Sequence, residues 1–320
     1  MLETAQQLSS APRATGSALA HTWRLVRWEL FLARRRALAK VLAIILLVGY
    51  LLVVGFILAS YAITASNSSV DLVLQPIRDL LTFPNSLVVG GIFTARLAPL
   101  LICILAGAVI GGEYGYSTQR LAFSRGVGRG QMLTAQVAAL GLLALGTAVG
   151  MMALSALTGM LLGPAVGGIV TAPGQDGWKE IGAYTLVLAL ILWVYALLAA
   201  FFATLGRSVA AGIGIALGWL FVEGIVASIF QGLGLLPGDF FKFLGHIPDW
   251  FLGINTSALK ITTSSAPLNF SLLDAPPGSS ALGFGSSSLS LGHALAVVVA
   301  YGVVFVAVSY VLLRSRDITD

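Results

Sequence analysis

The chain has 320 residues, of which 58% are hydrophobic and only 10% charged, with a mean hydropathy of +0.94 and a formal net charge of +5. Soluble domains carry about a quarter charged residues, so this composition excludes a water-soluble globule and makes lipid the solvent for most of the chain. The basic balance fits Lys and Arg gathered on the cytoplasmic side of a membrane and gives no support to a nucleic-acid partner.

Residues 1–40 are polar and basic, and no apolar run precedes a small-residue cleavage site, so a cleavable signal peptide is not expected. Within them, "LAHTWRLVRWELFLARRRALAK" (19–40) predicts a helix. Leu19, Trp23, Val26 and Leu30 fall on one stripe, with Arg24, Trp28 and Arg35 opposite. Trp23, Arg24, Arg27, Trp28 and Glu29 are the candidate interfacial residues. The pattern suits a helix lying along the inner leaflet, its cations near anionic headgroups. A plain stop-transfer charge cluster is the alternative.

About 20 mainly apolar residues cross a bilayer as a helix. Six windows qualify: 41–63, 87–112, 131–157, 181–205, 208–230 and 291–313. They are too long and continuous for barrel strands, and only helices or closed barrels satisfy their backbone in lipid. The expected fold is an all-α integral membrane protein with six transmembrane helices and an N-terminal interfacial helix. Between the spans, 64–86 reads as a polar loop with Pro76 and Pro84, and 158–180 as a Gly/Pro-rich connection. The long insert 231–290 begins with "LLPGDFFKFLGHIPDWFLGIN", suited to short helices in or dipping into the interface, and ends in a Ser/Gly/Pro-rich irregular loop.

Six spans place both termini on one side. That side holds 13 cations, including Arg34, Arg35, Arg36 and Lys40, while the other holds only Arg78, Lys179, Lys242 and Lys260. The positive-inside rule therefore makes both termini cytoplasmic, and the chain a multi-pass protein of the plasma (inner) membrane. Arg96 and Glu223 fall inside spans, where a charge costs about 2.5–3.5 kcal/mol on insertion scales, so each faces protein, water or the interface. They are candidate pathway residues, or else structural groups that snorkel or pair. Gly107/Gly111, Gly146/Gly150 and Gly214/Gly218 share the spacing that lets helices approach closely. Cys103 is the single cysteine, which excludes an intrachain disulfide and a Cys-based metal cluster. His21, His246 and His293 are far apart in sequence and fall on both sides, so no metal site is expected. No nucleophile triad or paired carboxylates share a side, leaving a membrane enzyme without support.

The cytoplasmic segment "GGEYGYSTQRLAFSRGVGRG" (111–130) interleaves Glu113, Arg120, Arg125 and Arg129 with Tyr114, Tyr116, Leu121 and Phe123. Glycines 126, 128 and 130 supply turns before the third span. Aromatics alternating with Arg suit a protein interface; a solvated connector that merely sets topology is the bland alternative. This segment resembles the loop after the second span in the ABC-2 family of ABC transporter permeases. Glu113, Gly115, Leu121, Ser124 and Arg125 match that pattern, with Ser117 and Thr118 close to its Thr. Phe123 stands where the family has proline, and Gln136 where it has Lys. "LVRWELFLARRRALAK", "FFATLGRSVAAGIGIALGW" and "LLRSRDITD" resemble its N-terminal segment, its turn between spans four and five, and its basic ending.

The resemblance implies the membrane half of an ATP-driven transporter, most often an exporter, of drugs, peptides, lipids or polysaccharide precursors. Two permease copies would pair, and separate ATP-binding subunits carrying ATP and Mg would dock on a coupling helix. Here that element is 113–130, with Glu113, Tyr114, Gly115, Thr118, Arg120, Leu121, Ser124, Arg125 and Arg129 as its coupling residues. The chain has no G-x-x-x-x-G-K-[ST] phosphate loop, so hydrolysis is expected on a partner, with no cofactor on this chain. The organisation is then a cytoplasmic N-terminus (1–40), a membrane domain (41–313) and a cytoplasmic tail (314–320). Two other readings remain: an ion-coupled secondary transporter using Glu223 and Arg96, and a membrane anchor whose outer insert binds a partner.

Overall fold

The computed structural model describes residues 18–67, 71–115, 128–263 and 289–315. The described residues are helical, without strands: α1 (Ala18–Arg35), α2 (Ala37–Asn67), α3 (Asp71–Leu81), α4 (Ser86–Gly115), α5 (Arg129–Ala165), α6 (Gln175–Gly206), α7 (Val209–Leu233), α8 (Asp239–His246), a 3-10 turn (Ile247–Trp250), α9 (Leu252–Thr263) and α10 (Leu291–Ser315). Six of them, α2, α4, α5, α6, α7 and α10, are long and apolar enough to cross a membrane. Each coincides with one of the expected windows. The observed helices run longer because helical hydrogen bonding continues past the apolar stretch into the polar flanks, as in α5, which extends through Pro164.

The 64–86 segment departs from expectation. It holds α3, with Pro76 inside it. A proline costs a short helix one internal bond, and packing outweighs this: Leu81 is buried and Ile77 and Leu80 are half-buried against the bundle. The insert after α7 does begin with short helices, α8 and α9; its later part, 264–288, lies outside the described residues.

The core runs along α4 and α6, whose spans are the most buried, while α2, α7 and α10 are largely bare. Leu52, Phe56, Phe221 and Ile225 stand exposed on α2 and α7. Apolar faces of this extent belong in lipid. Inside, Tyr50 of α2 is fully buried, and its hydroxyl meets Thr158 Oγ1 at 2.6 Å and Ser155 Oγ at 3.2 Å. Ser86 Oγ donates to the Ser155 carbonyl at 3.0 Å. This network ties α2, α4 and α5 together.

Only one of the three glycine pairs serves internal packing. A Cβ on Gly107 would lie 2.8 Å from the Gly212 carbonyl carbon, and one on Gly111 2.6 Å from Val209 Cα. Backbone therefore meets backbone where α4 crosses α7. Gly146, Gly150, Gly214 and Gly218 have open space beside them. Between α6 and α7 the turn is tight: Arg207 adopts φ 48°, and Ser208 caps α7 by accepting from the Ala211 amide at 3.1 Å.

The start of α2, the end of α4, the start of α5 and the end of α10 share one end of the bundle, here the terminal end. Three bonds fix this: Arg36 Nη1 donates to the Ala108 carbonyl at 2.9 Å, Arg129 Nη1 to the Leu313 carbonyl at 2.9 Å, and Gln136 Nε2 to Glu113 Oε2 at 2.7 Å.

Candidate functional site

The terminal end is built around a buried polar joint. Helix α1 lies against α5, with Val26 packed on Ala135 and Ala139, and Leu25 and Leu30 at the edges. The small alanines of α5 decide which side of α1 turns inward. The buried face is thus rotated from the expected stripe: Val26 and Ala33 are inside, Glu29 is buried with them, and Trp23 is exposed. The outward arc carries Trp23, Arg24, Arg27, Trp28, Phe31, Arg34 and Arg35. Trp28 stacks near Phe31 at 6.0 Å between ring centroids, and the Arg35 guanidinium sits 4.7 Å over the Phe31 ring. Alternating aromatic and guanidinium groups match the chemistry of a headgroup layer.

Behind that arc, burial pushes the Glu29 carboxyl above its usual range, and the nearby Arg36 charge partly offsets this. Arg36 stands at the bend between α1 and α2 and donates to the Ala108 carbonyl of α4. One turn further along α4, Glu113 is buried, and its Oε2 accepts from Gln136 Nε2 of α5 at 2.7 Å. The two helices bounding the loop are therefore bonded to each other directly beneath it. Tyr114 is half-buried against Val109, Ile110 and Ala203, and Gly115 ends α4. Arg129, at the other root, donates to the Leu313 and Arg314 carbonyls, completing the open end of α10. Thr118, Arg120, Leu121, Ser124 and Arg125 lie outside the described residues.

A second site lies toward the far end. A cavity of about 640 Å³ opens between α4, α6, α7 and α9, and both Arg96 and Glu223 line it. Sequence alone left open whether these two meet. They line one cavity, and the Glu223 carboxylate caps α9, with Oε1 accepting from the Gly253 amide at 2.8 Å. An anion at a helix N-terminus completes amides that have no intrahelical partner. The Leu252 amide and the Trp219 indole also face this carboxylate. Neither closes a hydrogen bond on Oε2, which is buried without a partner among the described residues.

Sequence reasoning did not assign Thr256 and Lys260 to this wall, nor Tyr195, whose hydroxyl pairs with Thr256 Oγ1 at 3.3 Å. A signal was present. Leu252, Asn255, Thr256, Leu259 and Lys260 follow the spacing of one helical stripe and are all buried. Asp249 of the insert also meets two histidines: His246 Nδ1, within the insert, lies 3.0 Å from its Oδ2, and His293 Nε2, on α10, 3.0 Å from its carbonyl. Among the described residues no group of three or more metal-ligating side chains forms. A third space, about 880 Å³ and almost wholly apolar, lies between α5, α6 and α10 beside Trp193 and Tyr310.

No protein-family model matches this sequence, and a search of curated proteins finds no similar one.

Proposed function

We propose that this chain is the membrane-spanning permease subunit of an ATP-driven transporter, working as an exporter with a second permease copy and a separate ATP-binding subunit. The terminal end faces the cytoplasm in this reading, and the partner engages the segment between α4 and α5. The observation that carries it is the joint beneath that segment. Glu113–Gln136 locks α4 to α5, Arg36 ties α1 and α2 to α4, and Arg129 ties α5 to α10. A push on the loop would thereby reach five helices at once. A solvated connector gains nothing from roots bonded this way.

Glu113 acts here through anchorage, since its carboxylate points inward. Contact with the partner falls to the loop's own Arg120, Leu121 and Arg125. The outward arc of α1 rests on the inner leaflet. The test is co-purification in mild detergent, followed by transport in proteoliposomes. Arg125→Ala should abolish ATP-driven transport while leaving the chain folded and monodisperse. Full transport by that variant would refute the docking assignment. Transport driven by a proton gradient without any ATP-binding partner would favour the ion-coupled alternative.

A further inference from the structure

We infer that the outward arc of α1 is a docking surface for anionic lipid headgroups of the inner leaflet. This rests on the seat proposed above for α1, and not on ATP-driven transport. Arg24, Arg27, Trp28, Phe31, Arg34 and Arg35 are all exposed and follow the spacing i, i+3, i+4, i+7, i+10, i+11 of one helical stripe. From Arg24 to Arg35 the stripe is about 16 Å long at 1.5 Å per residue. None of its four guanidiniums pairs with a carboxylate among the described residues. Glu29, the single acid of α1, is buried on the opposite side. The arc is therefore a row of uncompensated positive charge.

Height favours lipid over a protein as the occupant. Arg35 precedes Val41, the first large exposed apolar residue of α2, by at most about 9 Å of helix. On its other face, Val26 of α1 meets α5 at Ala135 and Ala139. Those alanines stand about 9–15 Å along α5 from Arg129 at the loop root. A protein docked on the loop lies beyond α1, and the layer beside the arc is the headgroup layer. Composition agrees. Trp and Phe suit that layer, and a guanidinium binds phosphate oxygens two at a time. Charge then decides which lipid. The phosphate of a phosphatidylcholine is neutralised by its own ammonium, which leaves four clustered guanidiniums to repel one another. Headgroups of net negative charge remove that repulsion, and a cytoplasmic leaflet supplies them.

The test places a donor fluorophore on Ala20→Cys, an exposed position one turn before Arg24 on the same stripe; the native Cys103 is buried and stays unlabelled. The purified full-length chain is set in phosphatidylcholine nanodiscs without any ATP-binding partner. These are doped with phosphatidylglycerol or phosphatidylcholine, each carrying the same acyl-chain acceptor. Energy transfer should show the anionic acceptor enriched about fivefold or more beside the donor, the gain expected from one engaged cation. Added salt should reduce it. Arg24→Gln with Arg27→Gln should bring the two acceptors to within about twofold of each other, whereas Arg24→Lys with Arg27→Lys should keep the enrichment, since the charge remains. Thermal unfolding monitors the fold of each variant. Should the Gln pair unfold, the wild-type comparison decides alone. Equal transfer to the two lipids overturns the inference and assigns the arc to neutral lipid or to a protein surface. So does a folded Gln pair with wild-type enrichment. Loss of ATP-driven transport moves neither readout, so this inference and the transporter reading fail separately.

Discussion

Replacing Gln136 with Leu tests the joint directly. The side chains are similar in volume, so packing is kept while the donor to Glu113 is removed. Gln136 is buried, and its bond to the Glu113 carboxylate is 2.7 Å long. A hydrogen bond to a charged group contributes about 1.5–3 kcal/mol. A domain somewhat smaller than this one shifts its melting temperature by about 2–4 °C per kcal/mol. The lower end suits a chain of 320 residues, giving a fall of roughly 3–6 °C. The six tryptophans report unfolding by intrinsic fluorescence in detergent. Glu113→Gln keeps an acceptor facing Gln136 and should cost less than Gln136→Leu. Combining Gln136→Leu with Glu113→Leu should show a coupling energy above about 0.5 kcal/mol, as contacting residues do. If Gln136→Leu melts with the wild type and the two changes add, the carboxylate and amide do not hold α4 to α5, and the argument for a driven joint falls.

Glu29 makes α1 sensitive to pH. The folded chain holds its proton more tightly than the unfolded chain, since burial raises its pKa. Stability contributed by this group is therefore present at low pH and lost as pH rises through the raised value. Acidification through that raised value should tighten α1 against α5, read as protection of a cysteine probe at Ala135 or Ala139, and Glu29→Gln should flatten that dependence. Gly107→Val should destabilise the chain by about 1–3 kcal/mol or more, because the added Cβ meets the α7 backbone; Gly146→Val, with open space around it, should leave the melting temperature within about 1 °C. Tyr50→Phe removes the hydroxyl that joins Ser155 and Thr158, and should cost about 0.5–2 kcal/mol in thermal unfolding, the range for interhelical hydrogen bonds in membranes.

The spans were legible because lipid imposes a length and a polarity that each of the six windows meets alone. The same reasoning could not see what depends on neighbours. Pro76 looked like a breaker, yet α3 forms because its inner face has a bundle to pack on. Three glycine pairs carry one motif, and only Gly107/Gly111 faces another backbone, because α7 happens to present Gly212 and Val209 there. On α1, periodicity found a helix, but the inward side was chosen by Ala135 and Ala139, more than a hundred residues away. Arg96 and Glu223 were marked by their cost in lipid. Their common cavity, and the capping of α9 by Glu223, required the insert to fold back into the bundle.

Helix α4 links the two sites. It carries Glu113 at the root of the loop and Arg96 on the cavity wall, seventeen residues apart, or about 25 Å along a helix. Pro99 lies between them and removes one rung of the hydrogen-bond ladder near Arg96. The longer segment from Leu100 to Glu113 is uninterrupted and holds Gly107 and Gly111 against α7. If the proposed partner displaces the loop root, this segment is the part of α4 that bears on α7, since it packs against the α7 backbone at the terminal end. Farther along, α7 presents Glu223 to the cavity and to the α9 amides. The crossing of α4 and α7 thus lies between the loop root and the cavity, with α7 running from one to the other. The physical reason for glycine at positions 107 and 111 is this approach: any Cβ there would lie within 3 Å of the α7 backbone and force the two helices apart.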